Sequence, residues 1–132
     1  RQIVFESDRS GSQQIYIMNA DGSNQRRISF FGGRAATPEW SPRGDQIAFT
    51  HISGNFRIAV MNPSGGGLRH LTNGWQDEAP TWSPNGRIVQ FFRTERGSGE
   101  TSIWQVDLTG RNERRLPTPV GASDPAWGPV LP

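Results

Sequence analysis

The sequence predicts an all-β fold built from one four-stranded unit that occurs three times. The chain of 132 residues repeats itself with a period of 42 to 45 residues, which is the length of a four-stranded propeller blade. Its apolar runs are short, rich in Ile, Val and Phe, and separated by Gly, Pro, Asn and Asp, a pattern typical of strands and turns. We therefore predict a β-propeller fragment of three four-stranded antiparallel blades, covering about residues 1–44, 45–86 and 87–132.

Two strand-like runs open each repeat. The first runs are QIVF from Gln2, QIAF from Gln46 and RIVQF from Arg87. The second runs are IYIMN from Ile15, IAVMN from Ile58 and IWQV from Ile103. Each second run leads into a turn that contains Gly22, Gly65 or Gly110, where glycine supplies the positive φ that other residues adopt only with strain.

Two further runs complete each repeat. The third runs are RRIS from Arg26, RHLT from Arg69 and RRLP from Arg114. The last runs are PEWSPRG, PTWSPNG and PAWGP, which place Trp40, Trp82 and Trp127 at one equivalent position. We expect each indole to fill the wedge between neighbouring blades, since a Trp side chain buries about 150–250 Å². A ligand-stacking row is the alternative interpretation.

Composition argues against several classes of function. The net charge is +2, and the 14 basic residues, all Arg, are spread along the chain, which argues against nucleic-acid binding. Cysteine is absent, so disulfides and thiolate metal sites are excluded. No apolar stretch approaches the roughly 20 residues of a membrane-spanning helix, so we predict no membrane insertion.

The residues that carry catalysis in other proteins are sparse here. The two histidines, His51 and His70, lack the spacing of a metal motif, and neither a GxSxG elbow nor a Cys nucleophile is present. Asp77, Glu78 and Asp124 precede the Pro of their repeats, where we expect them to form hydrogen bonds at turns and strand ends. We predict a protein that is not an enzyme and that uses no cofactor or metal.

Binding is predicted on one face of the disk, because alternate loops of an up-and-down blade emerge together. The longer and more varied loop set comprises residues 7–14, 30–37, 51–56, 73–79, 94–101 and 118–123. Long loops on a rigid scaffold are where recognition usually lies. The predicted partner-binding residues are Phe30, Phe31, Arg34, His51, Phe56, Trp75, Gln76 and Asp77. The alternative is that the aromatic members pack over the end of an adjacent blade.

A family resemblance adds to this interpretation. The stretch FESDRSGSQQIYIMNADGSNQRRIS, followed by PEWSPRGDQIAFT, resembles the TolB-type propeller repeat, in which a WSPDG-like turn joins successive blades. All three repeats carry the resemblance, and the ending PAWGPVLP resembles the carboxyl-terminal end of the family's propeller. The sequence departs from the pattern where the turn has RG or NG, and where Gly128 replaces the Ser of the earlier repeats.

The resemblance implies a six-bladed ring, of which this chain would be the last three blades. It also implies a periplasmic protein of the Tol–Pal system that binds the peptidoglycan-associated lipoprotein Pal and colicin segments on the predicted face. Since three blades do not close a ring, a homodimer that completes six blades is one alternative to a fragment. The alternative to a TolB-type function is that the chain is the propeller domain of a prolyl-oligopeptidase-like serine peptidase.

Overall fold

The computed structural model describes residues 1–118 and 121–128. This part of the chain contains eleven β-strands and no helix. The strands are β1 (Gln2–Ser7), β2 (Gln14–Asn19), β3 (Arg26–Arg27), β4 (Arg34–Trp40), β5 (Ile47–Ser53), β6 (Asn55–Met61), β7 (Arg69–His70), β8 (Gln76–Trp82), β9 (Ile88–Thr94), β10 (Thr101–Asp107) and β11 (Arg114–Arg115). The predicted all-β class is confirmed. None of these residues belongs to a helix capable of crossing a membrane.

Hydrogen bonding groups the strands differently from the sequence repeats. β1 to β3 form a three-stranded sheet, whereas β4 to β7 and β8 to β11 form two four-stranded groups joined by a single parallel bridge between Phe56 and Gln76. The run containing Pro and Trp, which closes each repeat in the sequence, pairs forward with the next repeat as β4 and β8. The four-stranded groups therefore cover residues 34–70 and 76–115, and their limits are displaced from the repeat limits.

The middle group is buried on both sides. In β6, Ile58 and Val60 belong to a core shared with the third group, while Ala59 and Met61 belong to a core shared with the first sheet. Successive strand residues point to opposite faces of a sheet. This arrangement explains why the middle strands read as nearly continuous apolar runs.

Two of the Trp side chains, those of Trp40 and Trp82, pack between successive groups. Trp82 is buried in the second core, and its indole Nε1–H donates to the carbonyl oxygen of Glu39 at 3.0 Å. Trp40 packs against the first core, and its indole N–H has no acceptor among the described residues. Trp127 lies in the segment 121–128, where its backbone N–H donates to Thr81 Oγ1 at 3.4 Å. The rest of the PAWGPVLP ending, residues 129–132, lies outside the described residues.

The residues that precede Pro38 in β4 and Pro80 in β8 have a left-handed backbone. Thr37 has φ of 50° and Ala79 has φ of 57°, and the register of β4 and β8 shifts at these positions. A bulge of this kind bends a strand and frees a backbone N–H from the ladder. The freed N–H of Thr37 donates to Glu6 Oε1 at 2.9 Å, and that of Ala79 donates to Thr50 Oγ1 at 3.2 Å. Each bend is thereby held by a side chain of the preceding sheet.

Candidate partner-binding face

Strand directions bring the longer loops to one end of the molecule. Because β1, β5 and β9 run opposite to the strands that follow them, the loops after them emerge at the same end as the connections into β4 and β8. Two of these connections carry the aromatic candidates, and we name them the FFGG loop (residues 30–33) and the NGW loop (residues 73–75). Part of the predicted loop 118–123, residues 119 and 120, lies outside the described residues.

Phe30 and Phe31 differ sharply although they are adjacent. The Phe30 side chain is 71% exposed, and the Arg27 guanidinium lies 4.4 Å from its ring centroid. Phe31 is half-buried and stacks on Phe49 at a centroid distance of 5.3 Å. Phe30 is therefore available to a partner, whereas Phe31 anchors the loop to the core beneath it.

Trp75 and Phe56 meet at the NGW loop. Trp75 is 42% exposed, and its carbonyl accepts a hydrogen bond from the Phe56 backbone N–H at 3.1 Å. Phe56 is half-buried and lines a groove of about 230 Å³. Aromatic residues next to a concave surface are typical of the residues that contribute most to protein–protein affinity.

The groove has a polar lining that extends beyond the eight predicted residues. Its residues come from β1 and the loop that follows it and from both four-stranded groups: Glu6, Gln13, Arg34, Ala36, Thr37, Thr50, Ile52, Phe56 and Glu78. Of these, Arg34 and Phe56 are among the eight predicted residues, and Gln13, Ala36, Thr37, Ile52 and Glu78 fall within the predicted loop ranges, whereas Glu6 and Thr50 fall in neither. Glu6 and Thr50 lie within β1 and β5, and they accept hydrogen bonds from the backbone N–H groups freed at the bulges of β4 and β8. The usable signal was an acidic or hydroxyl residue inside an otherwise apolar strand.

The FFGG loop is tethered by His51. This buried side chain places Nε2 at 2.9 Å from the Gly32 carbonyl oxygen and Nδ1 at 2.8 Å from His70 Nε2. The Phe31 ring meets the His51 ring edge-on at a centroid distance of 4.8 Å. Gly33 follows with φ of 68°, and a Cβ there would overlap the Ile52 carbonyl oxygen. His51 thus positions the loop from below and has little surface of its own to offer a partner.

The NGW loop is tethered by Asp77, which is fully buried. Its Oδ2 accepts a hydrogen bond from the Gly74 N–H at 3.2 Å, and the Arg93 guanidinium binds both carboxylate oxygens at 2.7 and 3.0 Å. Burial by itself lowers the pKa of Arg93, but the hydrogen bonds and charges of Asp77 and Glu113 outweigh it and raise the pKa above its ordinary value. Asp77 is therefore a positioning residue, like His51.

The two remaining predicted residues, Arg34 and Gln76, are polar and form hydrogen bonds with neighbouring side chains. Arg34 is exposed and its Nη1 donates to Gln13 Oε1 at 3.3 Å. Gln76 is half-buried, and its Nε2 lies 3.5 Å from Glu78 Oε2. Of the eight predicted residues, the exposed surface is supplied mainly by Phe30, Arg34 and Trp75.

Comparison with known proteins gives one family match across the chain. The family model for the TolB beta propeller domain matches residues 1–131. The "Tol-Pal system protein TolB 1" of Novosphingobium aromaticivorans is 83% identical over 85 residues, which are 64% of this chain and 19% of that protein. The chain therefore spans only about a fifth of that relative's length. The solved structure of TolB from Acinetobacter baumannii is 31% identical, with a TM-score of 0.85, and the match covers 98% of this chain and 33% of that chain.

Peptidase propellers are also similar in fold. A puromycin-hydrolyzing peptidase of Mycobacterium tuberculosis is 20% identical, with a TM-score of 0.66, and the match covers 86% of this chain and 18% of that chain. At this identity the similarity concerns the fold alone.

Proposed function

Because the chain belongs to the TolB β-propeller family, we propose that it is a non-catalytic protein-binding propeller that acts in the periplasm within the Tol–Pal system. The observation that carries the proposal is the face described above, where exposed Phe30 and Trp75 share one end of the molecule with a polar groove. An exposed aromatic on a tethered loop loses little conformational entropy when a partner covers it.

The proposed partner is a Pal-like lipoprotein. The relative at 83% identity is named for the Tol–Pal system, and the TolB-type resemblance implies Pal binding on this face. The groove lining includes two carboxylates, Glu6 and Glu78, and the guanidinium of Arg34. A partner segment that carries both hydrogen-bond donors and acceptors suits this lining. Colicin segments are proposed as a second class of ligand for the same surface.

Calorimetric titration with the soluble domain of a Pal-like lipoprotein tests this function. Replacing Trp75 or Phe30 with Ala should weaken binding by about 30-fold or more, the effect expected when a contact worth about 2 kcal/mol is lost. Ile3→Ala is the matched control, since Ile3 is a 40% exposed apolar side chain on β1, near the opposite end. Equal affinities for all four proteins would contradict the proposed face, and no binding by the folded chain would contradict the proposed partner.

A binding role is favoured over a catalytic one by how the reactive side chains are engaged. His51 and His70 are hydrogen-bonded to each other, and Asp77 is paired with Arg93. Within residues 1–118 and 121–128, no three His, Asp or Glu side chains are grouped as metal ligands. The alternative, a propeller that gates a serine peptidase, predicts a Ser–Asp–His hydrolase domain in the parent protein, and sequencing the parent gene distinguishes the two.

Completion of the ring is a separate proposal. β5 pairs with β4 along one edge, and β9 pairs with β8 in the same way. The equivalent edge of β1 is unpaired in the described part of the chain, where β1 pairs only with β2. The cleft beside Trp40, lined by Arg1, Gln2 and residues 40–44, lies where an acceptor equivalent to the Glu39 carbonyl is expected. A further strand from a longer parent or from a second chain fits here. A solution mass of twice 14.6 kDa favours the homodimer.

A further inference from the structure

We propose that the histidine pair, His51 and His70, is a pH-sensitive latch that holds the FFGG loop when neutral and releases it when both rings are protonated. The latch adds regulation to the partner-binding face, and only its consequence for binding rests on the proposed function. The structural part concerns four groups: the two imidazoles, the Gly32 carbonyl and the Phe31 ring.

The neutral pair has one consistent arrangement of protons. His51 Nε2 faces a carbonyl oxygen at 2.9 Å, and a carbonyl only accepts, so this nitrogen carries a proton. A neutral imidazole has one N–H, so His51 Nδ1 is bare and accepts from His70 Nε2–H at 2.8 Å. One chain of hydrogen bonds therefore runs from His70 through His51 to Gly32.

A single added proton leaves this series of hydrogen bonds intact. In the neutral pair, His70 Nδ1 is the ring nitrogen that takes part in neither of these hydrogen bonds, so it takes up the proton. His70 Nε2–H still donates to His51 Nδ1, and the bond to Gly32 remains. The latch is therefore predicted to be insensitive to the first protonation.

A second proton breaks this series of hydrogen bonds. Both facing nitrogens then carry hydrogens, and two cations lie in stacked rings whose centroids are 5.1 Å apart with an interplanar angle of 13°. Arg57, opposite His51 on β6, adds a third positive charge beside them. Glu113 lines the same cleft as Arg57 and His70, but its carboxylate already accepts from Arg93 at 2.9 Å.

The direction of the His70 titration agrees with this geometry. Burial, followed by the charges of Arg57 and of His51, lowers the pKa of His70 below its ordinary value of 6.5. Separation of the rings relieves all of these effects together. Because both nitrogens of His51 are in hydrogen bonds, a turn of its ring away from His70 also withdraws Nε2 from the Gly32 carbonyl. The FFGG loop is then held by the stacking of Phe31 on Phe49 and by the hydrogen bond from Gln14 Nε2 to the Gly33 carbonyl at 2.9 Å.

The chain is well suited to a direct test, because it contains only two histidines. Nuclear magnetic resonance of the imidazole nitrogens resolves two titrations and the tautomer of each ring between pH 8 and pH 4.5. We expect the amide signals of Phe31, Gly32 and Gly33 to stay constant through the first protonation and to shift with the second. The amides of Gly74 and Trp75, in the loop tethered by Asp77, serve as the internal control and should not shift over this range.

Two variants separate the latch from general acid sensitivity. His70→Gln cannot take up the second charge, so its FFGG amides should stay in place down to pH 4.5. Arg57→Gln removes the neighbouring charge that lowers the pKa of His70 without touching the pair, so the second protonation and the amide shift that accompanies it should move to higher pH. The proposal is overturned if the wild-type FFGG amides do not shift, if they shift together with those of the NGW loop, or if His70→Gln shows the same transition.

A binding measurement then tests the consequence. The affinity of wild type for the soluble domain of a Pal-like lipoprotein should fall by about tenfold once the second proton is bound, a typical coupling between two sites. The His70→Gln variant should keep its affinity over the same range. If no binding occurs at any pH while the amide transition is present, the proposed partner fails and the latch stands; if binding occurs without an amide transition, the reverse holds.

Discussion

The FFGG and NGW loops occupy equivalent places in the repeat, and different chemistry holds each of them. Gly32 and Gly74 are 42 residues apart, and each is bonded to a buried side chain of the strands below. Gly32 is held by a histidine that is hydrogen-bonded to a second histidine, and Gly74 is held by a carboxylate paired with an arginine. The tethering residues belong to the cross-strand pairs Ala35–His51 and Asp77–Arg93. Both repeats therefore have a buried side chain that holds the loop, but the residue types that do so differ.

This difference has a consequence for how each loop responds to its surroundings. An Arg–Asp pair stays charged over the whole neutral range, whereas imidazoles change charge near neutrality. Under the proposed latch, the FFGG loop responds to pH and the NGW loop does not. Three measurements break or sharpen this comparison.

The largest effect is expected from breaking the ion pair. Arg93→Ala leaves the Asp77 carboxylate buried without its partner, which should lower the free energy of unfolding by about 3–5 kcal/mol. Arg115→Ala is the control, because its ion pair with Glu100 is long, at 3.7 Å, and exposed. Urea denaturation of both variants gives the comparison, and equal losses would show that the buried Asp77–Arg93 pair contributes no more to stability than an exposed pair.

An intermediate effect is expected from removing the other tether. His51→Ala loses the hydrogen bond to the Gly32 carbonyl and the edge-on contact with Phe31, which should cost about 1–3 kcal/mol. His51→Gln retains an N–H donor at a similar reach and should recover part of this loss. The unfolding free energies of both variants at pH 7.5 test the ranking, and a His51→Ala variant that loses as much as Arg93→Ala would remove the distinction between the loops.

The smallest effect is the dependence of stability on pH. Because the pKa of His70 is lowered in the folded chain, the unfolded chain binds more protons just below pH 6.5. Stability is therefore fully present above pH 6.5 and is lost as the pH falls below it toward the lowered value. Urea midpoints of wild type and His70→Gln at pH 7.5 and 5.5 measure this, with a smaller decrease expected for the variant. An equal decrease in both would assign the pH dependence to the carboxylates instead.

Much of the fold was predictable from local signals. The turns at Gly22, Gly65 and Gly110 all have positive φ, and such turns with short apolar runs repeat often enough to define strands and their directions. The direction of each strand then fixes which loops share a face. What the sequence did not reveal was the forward pairing of β4 and β8, since a run with Pro in its middle has no local preference between the strand before it and the strand after it.

The site was harder to predict because its contacts depend on register. Asp77 read as a turn residue before Pro80, and its partner Arg93 lies 16 positions further along the chain. His51 and His70 are 19 positions apart, on β5 and β7, which both pair with β6. Only the register of neighbouring strands brings such residues together, so their burial and their tethering role emerged with the structure.

The bond between Trp82 and the Glu39 carbonyl has a bearing on how such a chain can vary. The acceptor is main chain, and the equivalent residues before each Trp are of three kinds: Glu39, Thr81 and Ala126. The joint at Trp82 requires an indole on one side and nothing particular of the side chain opposite. It is not repeated at Trp127, whose buried indole N–H has no acceptor among the described residues. Position 39 can therefore vary in evolution without loss of the Trp82 joint, because any residue there supplies the same carbonyl.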